Sequence, residues 1–385
     1  MKKRIAIITG TRAEYGIFKP LLKAINESKK LELKIIVSGM HLLREHGMTI
    51  DEIKKDGFHI DAIVRMYGRE ERNNTYHSKA LGIGIINISK ALYKIKPSIV
   101  VVFGDRLEAL AGALAAATLR IPVAHIHGGD KDDTGHIDEG IRNSISQFAH
   151  IHFTATKKHT QRLIRMGEEP WRIFQTGALG LDSILNIQPI PKKILFRNLG
   201  IDDNKKTILC VFHPNNLEVK FAGKQMHEIM KAISQLRIQT VVIYPNNDAG
   251  SQDIISEIKK YNHLSFVKSF PSLEHDIYIS LLKHVDIMIG NSSSGIIETP
   301  SLGVPVVNIG IRNSTREHGR NVIFVQPKRR EIANAIRKAL YDKKFLALSR
   351  RKQDIWGNGT ASKKIIMILN RIKIDRKLLF KLKTY

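Results

Sequence analysis

Short apolar runs alternate with helix-period stretches from one end of this 385-residue chain to the other, and few folds accept such a pattern. Strands that come singly, each followed by a helix, pair in parallel, because the helix returns the chain to the same edge of the sheet. In the first half the strand signals are Arg4–Thr9, Leu33–Ser38, Ser98–Phe103, Val123–Ile126, Ile151–Thr154 and Ile173–Thr176. Helical patterns lie among them over Ile17–Ile25, Lys79–Ile95, Leu107–Thr118 and Ile137–Phe148. The series breaks at Asn186–Lys206, which holds Pro189, Pro191 and the polar run from Asp202 to Lys206. A second series follows: Ile208–Phe212, Thr240–Tyr244, Leu264–Val267, Asp286–Ile289, Val304–Asn308 and Val322–Val325, with helices over Lys224–Leu236, Ile254–Lys260 and Arg329–Leu340. The pattern predicts an α/β protein of two Rossmann-like domains, 1–187 and 207–362, joined by a linker over 188–206 and followed by a basic helix or tail over 363–385. Ligands are expected beyond the carboxyl ends of the strands.

Charge is the feature that departs from the ordinary. The chain has 62 Lys and Arg against 36 Asp and Glu, a net charge of +26. Such a balance suggests nucleic acid first. The cations are spread along the whole chain, however, and no basic–aromatic recognition module interrupts the α/β pattern. A small anionic substrate on a basic background fits better, and no nucleic-acid partner is expected. The segment from Lys363 to Tyr385 carries eight Lys and Arg and one Asp among apolar residues. A helix of that composition can lie on a membrane. Packing on its own protein with a solvated basic face is the preferred expectation. No apolar run approaches the ~20 residues of a membrane span, and the opening MKKRIAIITG reads as a first strand rather than a signal peptide. The single cysteine, Cys210, sits in an apolar strand pattern and reads as a core residue, which fits a reducing, cytoplasmic setting.

Polar clusters follow the predicted strands. After the first comes GTRAEYG, with Arg12 at a glycine turn that opens a helix and presents backbone N–H groups to an anion. Neither a GxGxxG fingerprint nor a P-loop is present. After Ser98–Phe103 stands GDRLE, with Asp105 and Arg106; an Asp there is equally readable as a helix N-cap. The next strand ends His125-Ile-His127-Gly-Gly-Asp130, and His136, Asp138, Glu139 and Arg142 follow. His125 and His127, two apart on a strand, are expected to point the same way. Imidazoles beside carboxylates invite a metal, but there is no HExxH and no cysteine partner. Acid–base work by paired ionisable groups is the preferred reading. In the second half FHPNNLE places His213 at a strand end. GNSSSGIIE then runs strand, polar turn and helix, with Asn291, Ser292 and Ser293 as an anion cradle and Glu298 placed to accept from ribose hydroxyls. The loop IRNSTREHGR adds Arg312, Arg316 and Arg320. Cradle, arginines and carboxylate together point to a nucleoside diphosphate.

The blocks GTRAEYG, GDRLEAL, AHIHGGD, DEGIRNSISQFAHIHF, FHPNNLE, GNSSSGIIE and IRNSTREHGR, in this order over roughly residues 5 to 345, resemble the hydrolysing UDP-N-acetylglucosamine 2-epimerases. The resemblance implies the GT-B fold, two Rossmann-like domains whose parallel sheets face a cleft, without cofactor or metal. It implies a homodimer or homotetramer that eliminates UDP by removing the C2 proton and then hydrates the glycal, giving N-acetylmannosamine for sialic acid-type synthesis. UDP-N,N'-diacetylbacillosamine fits the same scheme, and relatives that return a UDP-sugar share the fold. Carried over by position, Arg12, His213, Ser292, Ser293 and Arg312 fall on the diphosphate side and Glu298 on the ribose. Asp105, Arg106, Asp138 and Glu139 fall on the sugar side. Asn291, Arg316, Asp130 and Arg142 complete the expected substrate-binding set. Two positions depart from the family pattern. His127 stands where a carboxylate is often found, so that duty falls to imidazole or to Asp130, and Asn143 replaces a histidine.

Overall fold

The computed structural model describes residues 2–44, 47–68, 75–131, 137–245, 249–382 and 384, with the side chains of Ala13 and Asn216 left out. The chain forms two compact units. The first takes the residues up to Lys131, Ile137–Ser183 and the stretch from Gly357 onward, and the second takes Ile184–Trp356.

In the first unit the strands are β1 (Lys3–Thr9), β2 (Leu31–Ser38), β3 (Ala62–Val64), β4 (Ile99–Phe103), β5 (Val123–Ile126), β6 (Ile151–Thr154) and β7 (Ile173–Gln175). They form one parallel sheet in the order β3-β2-β1-β4-β5-β6-β7, with β1 against β2 from Lys3 opposite Leu31 to Thr9 opposite Val37. Helices cover both faces, so the strands are apolar on both sides, and alternate residues enter different cores. Ile5, Ile7, Ile99 and Val101 pack with Phe18, Leu21 and Leu22. Ala6, Ile8, Val100 and Val102 pack on the other face with Leu92 and the alanines of the Leu107–Thr118 helix. Strand order reverses between β1 and β4, which opens a crevice at the carboxyl ends of those two strands.

The second unit repeats the scheme with β8 (Thr207–Val211), β9 (Gln239–Ile243), β10 (Val267–Phe270), β11 (Ile287–Gly290), β12 (Val306–Ile309) and β13 (Val322–Val325). Its sheet is parallel in the order β10-β9-β8-β11-β12-β13, and the reversal falls between β8 and β11. Cys210 is fully buried in this core, and burial pushes its thiol up to about 12. Two parallel, helix-covered sheets of this kind make the GT-B architecture expected from the motifs.

Two expected boundaries move. Residues 188–206 carry the helix Lys192–Asn198, whose Leu195 and Phe196 are buried with Leu209, Val241 and Leu281, so apolar burial draws this stretch into the second unit. At the other end the chain rejoins the first unit at Gly357 rather than stopping as a separate tail. Ala361, Ile365 and Leu369 of the Ala361–Arg371 helix pack with Phe18, Leu21, Leu22 and Ile25. Asp182 accepts from the N–H groups of Ala361 (2.8 Å) and Ser362 (2.6 Å), and Lys3 Nζ donates to the carbonyls of Leu369, Asn370 and Ile372 at the far end. No helix among the described residues is long and apolar enough to cross a membrane.

Candidate active site

Ile126 ends β5, and the residues after β4 and β5 form the polar centre of the first unit. Arg142, on the second turn of the Ile137–Phe148 helix, organises them. Its side chain is 3% exposed. Nη2 donates to Asp105 Oδ2, while Nη1 donates to Glu139 Oε2 at 3.0 Å and to the backbone carbonyl of Asp130 at 3.2 Å. A guanidinium keeps its charge under all working conditions, so one buried fork draws two carboxylates and the turn after β5 toward a common point. Asn143 Nδ2 reaches the other oxygen of Glu139 at 3.4 Å. Asp138 lies half-buried on the first turn, within electrostatic range of Arg106. Asp130 is 3% exposed, accepts from the Lys131 N–H at 2.8 Å and lies 3.4 Å from His159 Nε2. His159 follows the N-cap Thr156 by three residues, and nothing in the sequence pattern singles it out.

The two histidines of the His125-Ile-His127 run part company. His125 is fully buried; its Nδ1 meets Ser146 Oγ at 3.0 Å and its Nε2 meets the Gly104 carbonyl at 2.8 Å. Burial lowers its pKa to about 3, so it works as a neutral strut. His127 lies past the strand end with φ +66, so the expected shared face is lost. Its N–H donates to the Phe153 carbonyl at 2.9 Å and its ring packs on Phe103 at 5.0 Å. A left-handed backbone on a non-glycine residue costs on the order of 1–3 kcal/mol and persists only where the surroundings impose it. His136 lies outside the described residues. Among those described, no group of three or more His, Cys, Asp or Glu is arranged to hold a metal.

Arg12, expected on the diphosphate side, opens the Arg12–Asn26 helix and pairs with Glu52 Oε1 at 2.9 Å, half-exposed. Behind it lies a buried acidic pair that sequence reasoning missed. Thr11 accepts from the Glu14 N–H while Glu14 Oε2 accepts from the Gly10 N–H at 2.7 Å, a variant of the capping box. Glu108 packs so closely that a Cβ on Gly10 would lie 2.6 Å from its Cγ. Glu108 is 1% exposed, accepts from Tyr67 Oη at 3.2 Å and lies 3.6 Å from Arg106 Nε. Burial, with Glu108 beside it, raises the Glu14 carboxyl to about 8. The signal was present as a Thr-x-x-Glu spacing, but it spells a helix start and conceals the neighbour that gives the carboxyl its chemistry.

In the second unit the loops after β8, β11 and β12 are tied together by asparagines. The His213 N–H donates to Asn291 Oδ1 at 2.7 Å, and Asn291 Nδ2 donates back to the His213 carbonyl at 2.8 Å. Asn313 Nδ2 donates to the Asn291 carbonyl at 2.9 Å, and Asn308 Nδ2 to the Arg312 carbonyl at 2.9 Å. Arg316 Nη1 donates to Asn313 Oδ1 at 3.2 Å. The expected Asn291, His213, Arg312 and Arg316 are thus brought together, and Asn308 and Asn313 are the members missed. Gly290 turns at φ +122, where a Cβ would sit 2.0 Å from the Val211 carbonyl oxygen, so only glycine passes. Ser292 and Ser293 stand half-buried just before the short Ser294–Ile297 helix. Ser294 Oγ donates to Glu298 Oε2 at 2.5 Å. Burial lowers His213 to about 3, with Arg312 adding to the shift, so it offers a neutral ring beside a permanent cation. Burial raises Glu298 to about 7.

The family profile of UDP-N-acetylglucosamine 2-epimerase matches residues 23–370. The chain is 36% identical over the full length of both proteins to a UDP-N,N'-diacetylbacillosamine 2-epimerase (hydrolyzing) from Legionella pneumophila. It is 35% identical to a UDP-N-acetylglucosamine 2-epimerase from Neisseria meningitidis, covering 90% of this chain and 89% of that one. Among solved structures it resembles a Neisseria meningitidis UDP-GlcNAc 2-epimerase bound to UDP-GlcNAc, with a TM-score of 0.82 at 20% identity, over 96% of this chain and all of the other.

Proposed function

The chain belongs to the UDP-N-acetylglucosamine 2-epimerase family, and from that premise we propose that it hydrolyses a UDP-2-acetamido sugar with inversion at C2. A base takes the C2 proton, the C1–O bond breaks and UDP leaves, so the sugar becomes a glycal. Water then adds across the double bond, its oxygen to C1 and a proton to C2 from the opposite face. For UDP-N-acetylglucosamine the sum is one water consumed, with N-acetylmannosamine and UDP released, a starting material for sialic acid-type sugars. The observation that carries the reading is the buried Arg142, which holds Asp105, just past β4, beside Glu139 of its own helix in a chain of this family.

The division of labour follows the chemistry of each group. Asp105 and Glu139, held by one guanidinium, are the carboxylates suited to proton abstraction. His127 and the Asp130–His159 pair are the rival groups for the second proton transfer. In the second unit Arg312, Arg316, the neutral His213 and the serine turn oppose the charge that builds on the departing diphosphate, and Glu298 takes the ribose hydroxyls. UDP-N,N'-diacetylbacillosamine is a second substrate reading, favoured by the end-to-end similarity to the Legionella protein. Both sugars are offered to the purified chain in D2O, with products followed by NMR. Free UDP and an inverted sugar carrying one deuterium at C2 are expected, and the faster sugar names the substrate. A UDP-sugar returned intact with altered C2, or a product without deuterium, defeats the hydrolysing elimination.

A further inference from the structure

The Ile137–Phe148 helix carries Asp138, Glu139 and Arg142 at its start, and its other end is held from an unexpected quarter. Lys381, from the basic C-terminal stretch, has a side chain only 11% exposed. Its Nζ donates to the carbonyls of Ser146 (3.1 Å), Gln147 (2.8 Å) and Ala149 (2.7 Å). The last carbonyls of a helix have no partner within it and form its negative pole, so an ammonium there satisfies both hydrogen bonding and charge. The same Nζ lies 2.7 Å from Glu168 Oε2, a fully buried carboxylate that also meets His152 Nε2 at 3.0 Å. The segment bearing Lys381 is itself clamped. Arg172, fully buried, donates to the carbonyls of Lys377 (3.0 Å), Leu378 (2.7 Å) and Phe380 (2.9 Å). From the helix end, contact continues to the site: Ser146 Oγ meets His125, and His125 meets the carbonyl of Gly104, the residue before Asp105.

We propose that Lys381 is a positioning residue: by capping the carbonyl end of the Ile137–Phe148 helix, the C-terminal strap sets where Glu139 and Arg142 stand relative to Asp105. The inference rests on the reaction proposed above. Its physical basis is the sensitivity of proton transfer to placement, since a shift of about 1 Å in a reacting group costs roughly 100-fold. Arg142 bonds both to its own helix, through Glu139, and to the β4 and β5 ends, through Asp105 and the Asp130 carbonyl. A helix free to slide along its axis pulls on those bonds first.

The test uses the full chain. Lys381→Met is expected to lower kcat roughly ten- to 100-fold while KM and the affinity for UDP stay within twofold, and to speed amide hydrogen exchange in residues 137–148. Because Met leaves Glu168 without its cation, the double variant Lys381→Met/Glu168→Gln removes that stranded charge and is expected to keep the kcat loss. Cys210 is buried, so Lys381→Cys can be alkylated selectively with 2-bromoethylamine to rebuild an ammonium at nearly the same reach, which is expected to recover kcat. A Lys381→Met enzyme within threefold of wild-type kcat overturns the proposal. So does a double variant of wild-type kcat, or a loss of kcat matched by a loss of UDP affinity. Wild-type protein that releases no UDP from either sugar defeats the reaction instead, and unchanged exchange in residues 137–148 then overturns the cap separately.

Discussion

Single groups in this protein owe their chemistry to what surrounds them, and four respond to direct tests. Arg312 lies near enough to His213 for its charge to help keep that ring neutral, and it is the cation expected on the diphosphate. Arg312→Ala should weaken UDP binding by ~2–4 kcal/mol, as expected for removing a charge-assisted partner from an enclosed site; titration calorimetry on the folded variant reads the value. Glu298 titrates at about 7 because burial opposes its charge, and its ionised form is the better acceptor for ribose hydroxyls. UDP affinity should therefore rise as pH goes from 6 to 8, and Glu298→Gln should flatten the profile. His127 and Asp130 divide the question of the second proton. His127→Ala should cut kcat by ~10²–10⁴-fold with UDP affinity unchanged if imidazole serves. A variant within threefold of wild-type kcat hands the duty to Asp130, and Asp130→Asn should then show the loss.

Among the elements, the start of the Arg12–Asn26 helix has a property that its sequence conceals. Glu14 closes a capping box, yet its carboxyl is held near 8 by burial beside Glu108. A carboxyl whose pKa is higher folded than unfolded lends stability that is complete below about 4.5 and is lost as pH climbs toward 8. Glu14→Gln keeps the acceptor for the Gly10 N–H without the charge. Its stability relative to wild type in urea unfolding should improve between pH 5 and 9, by on the order of 2–4 kcal/mol. Most strand positions and the helices over Leu107–Thr118 and Ile137–Phe148 were legible because continuous apolar runs and clean helical periods leave little choice. The Ala62–Val64 strand was not, and no strand was read between Ser38 and Ser98. β10 slipped because Leu264 and Phe266 pack into the core before the strand begins, so the apolar signal precedes the ladder. The site residues named from motifs were legible as blocks after strands. Glu108, His159 and Asn313 were not, because each matters through a neighbour distant in sequence, and Asn308 was not, because a strand-end amide that ties down its own following loop makes no pattern.

For the whole molecule, the charge of +26 is partly structural. Lys3, Arg172 and Lys381 each end on backbone carbonyls at or beside the close of a helix, where a cation does the work of a cap. These caps occupy three of the cations, and a binding test separates the anions that the rest could meet. UDP should raise the melting temperature with the logarithm of its concentration above Kd, while a single-stranded DNA oligomer at physiological salt should leave it unmoved; a DNA shift exceeding that of UDP would reverse the assignment. The first unit is also discontinuous, leaving for the whole of Ile184–Trp356 before Gly357 brings it back. On a ribosome that detour has a duration. At ~5–20 residues per second the second unit takes roughly 10–30 s to synthesise. Throughout that interval Phe18, Leu21, Leu22 and Ile25 wait without the helix that will cover them, and the Ile137–Phe148 helix waits without Lys381. A nascent chain thus passes through a stage with its second unit emerging, its first unit unsealed, and a greasy stripe open to chaperones. Lys381, which holds the far end of the Ile137–Phe148 helix, follows the second unit out of the tunnel.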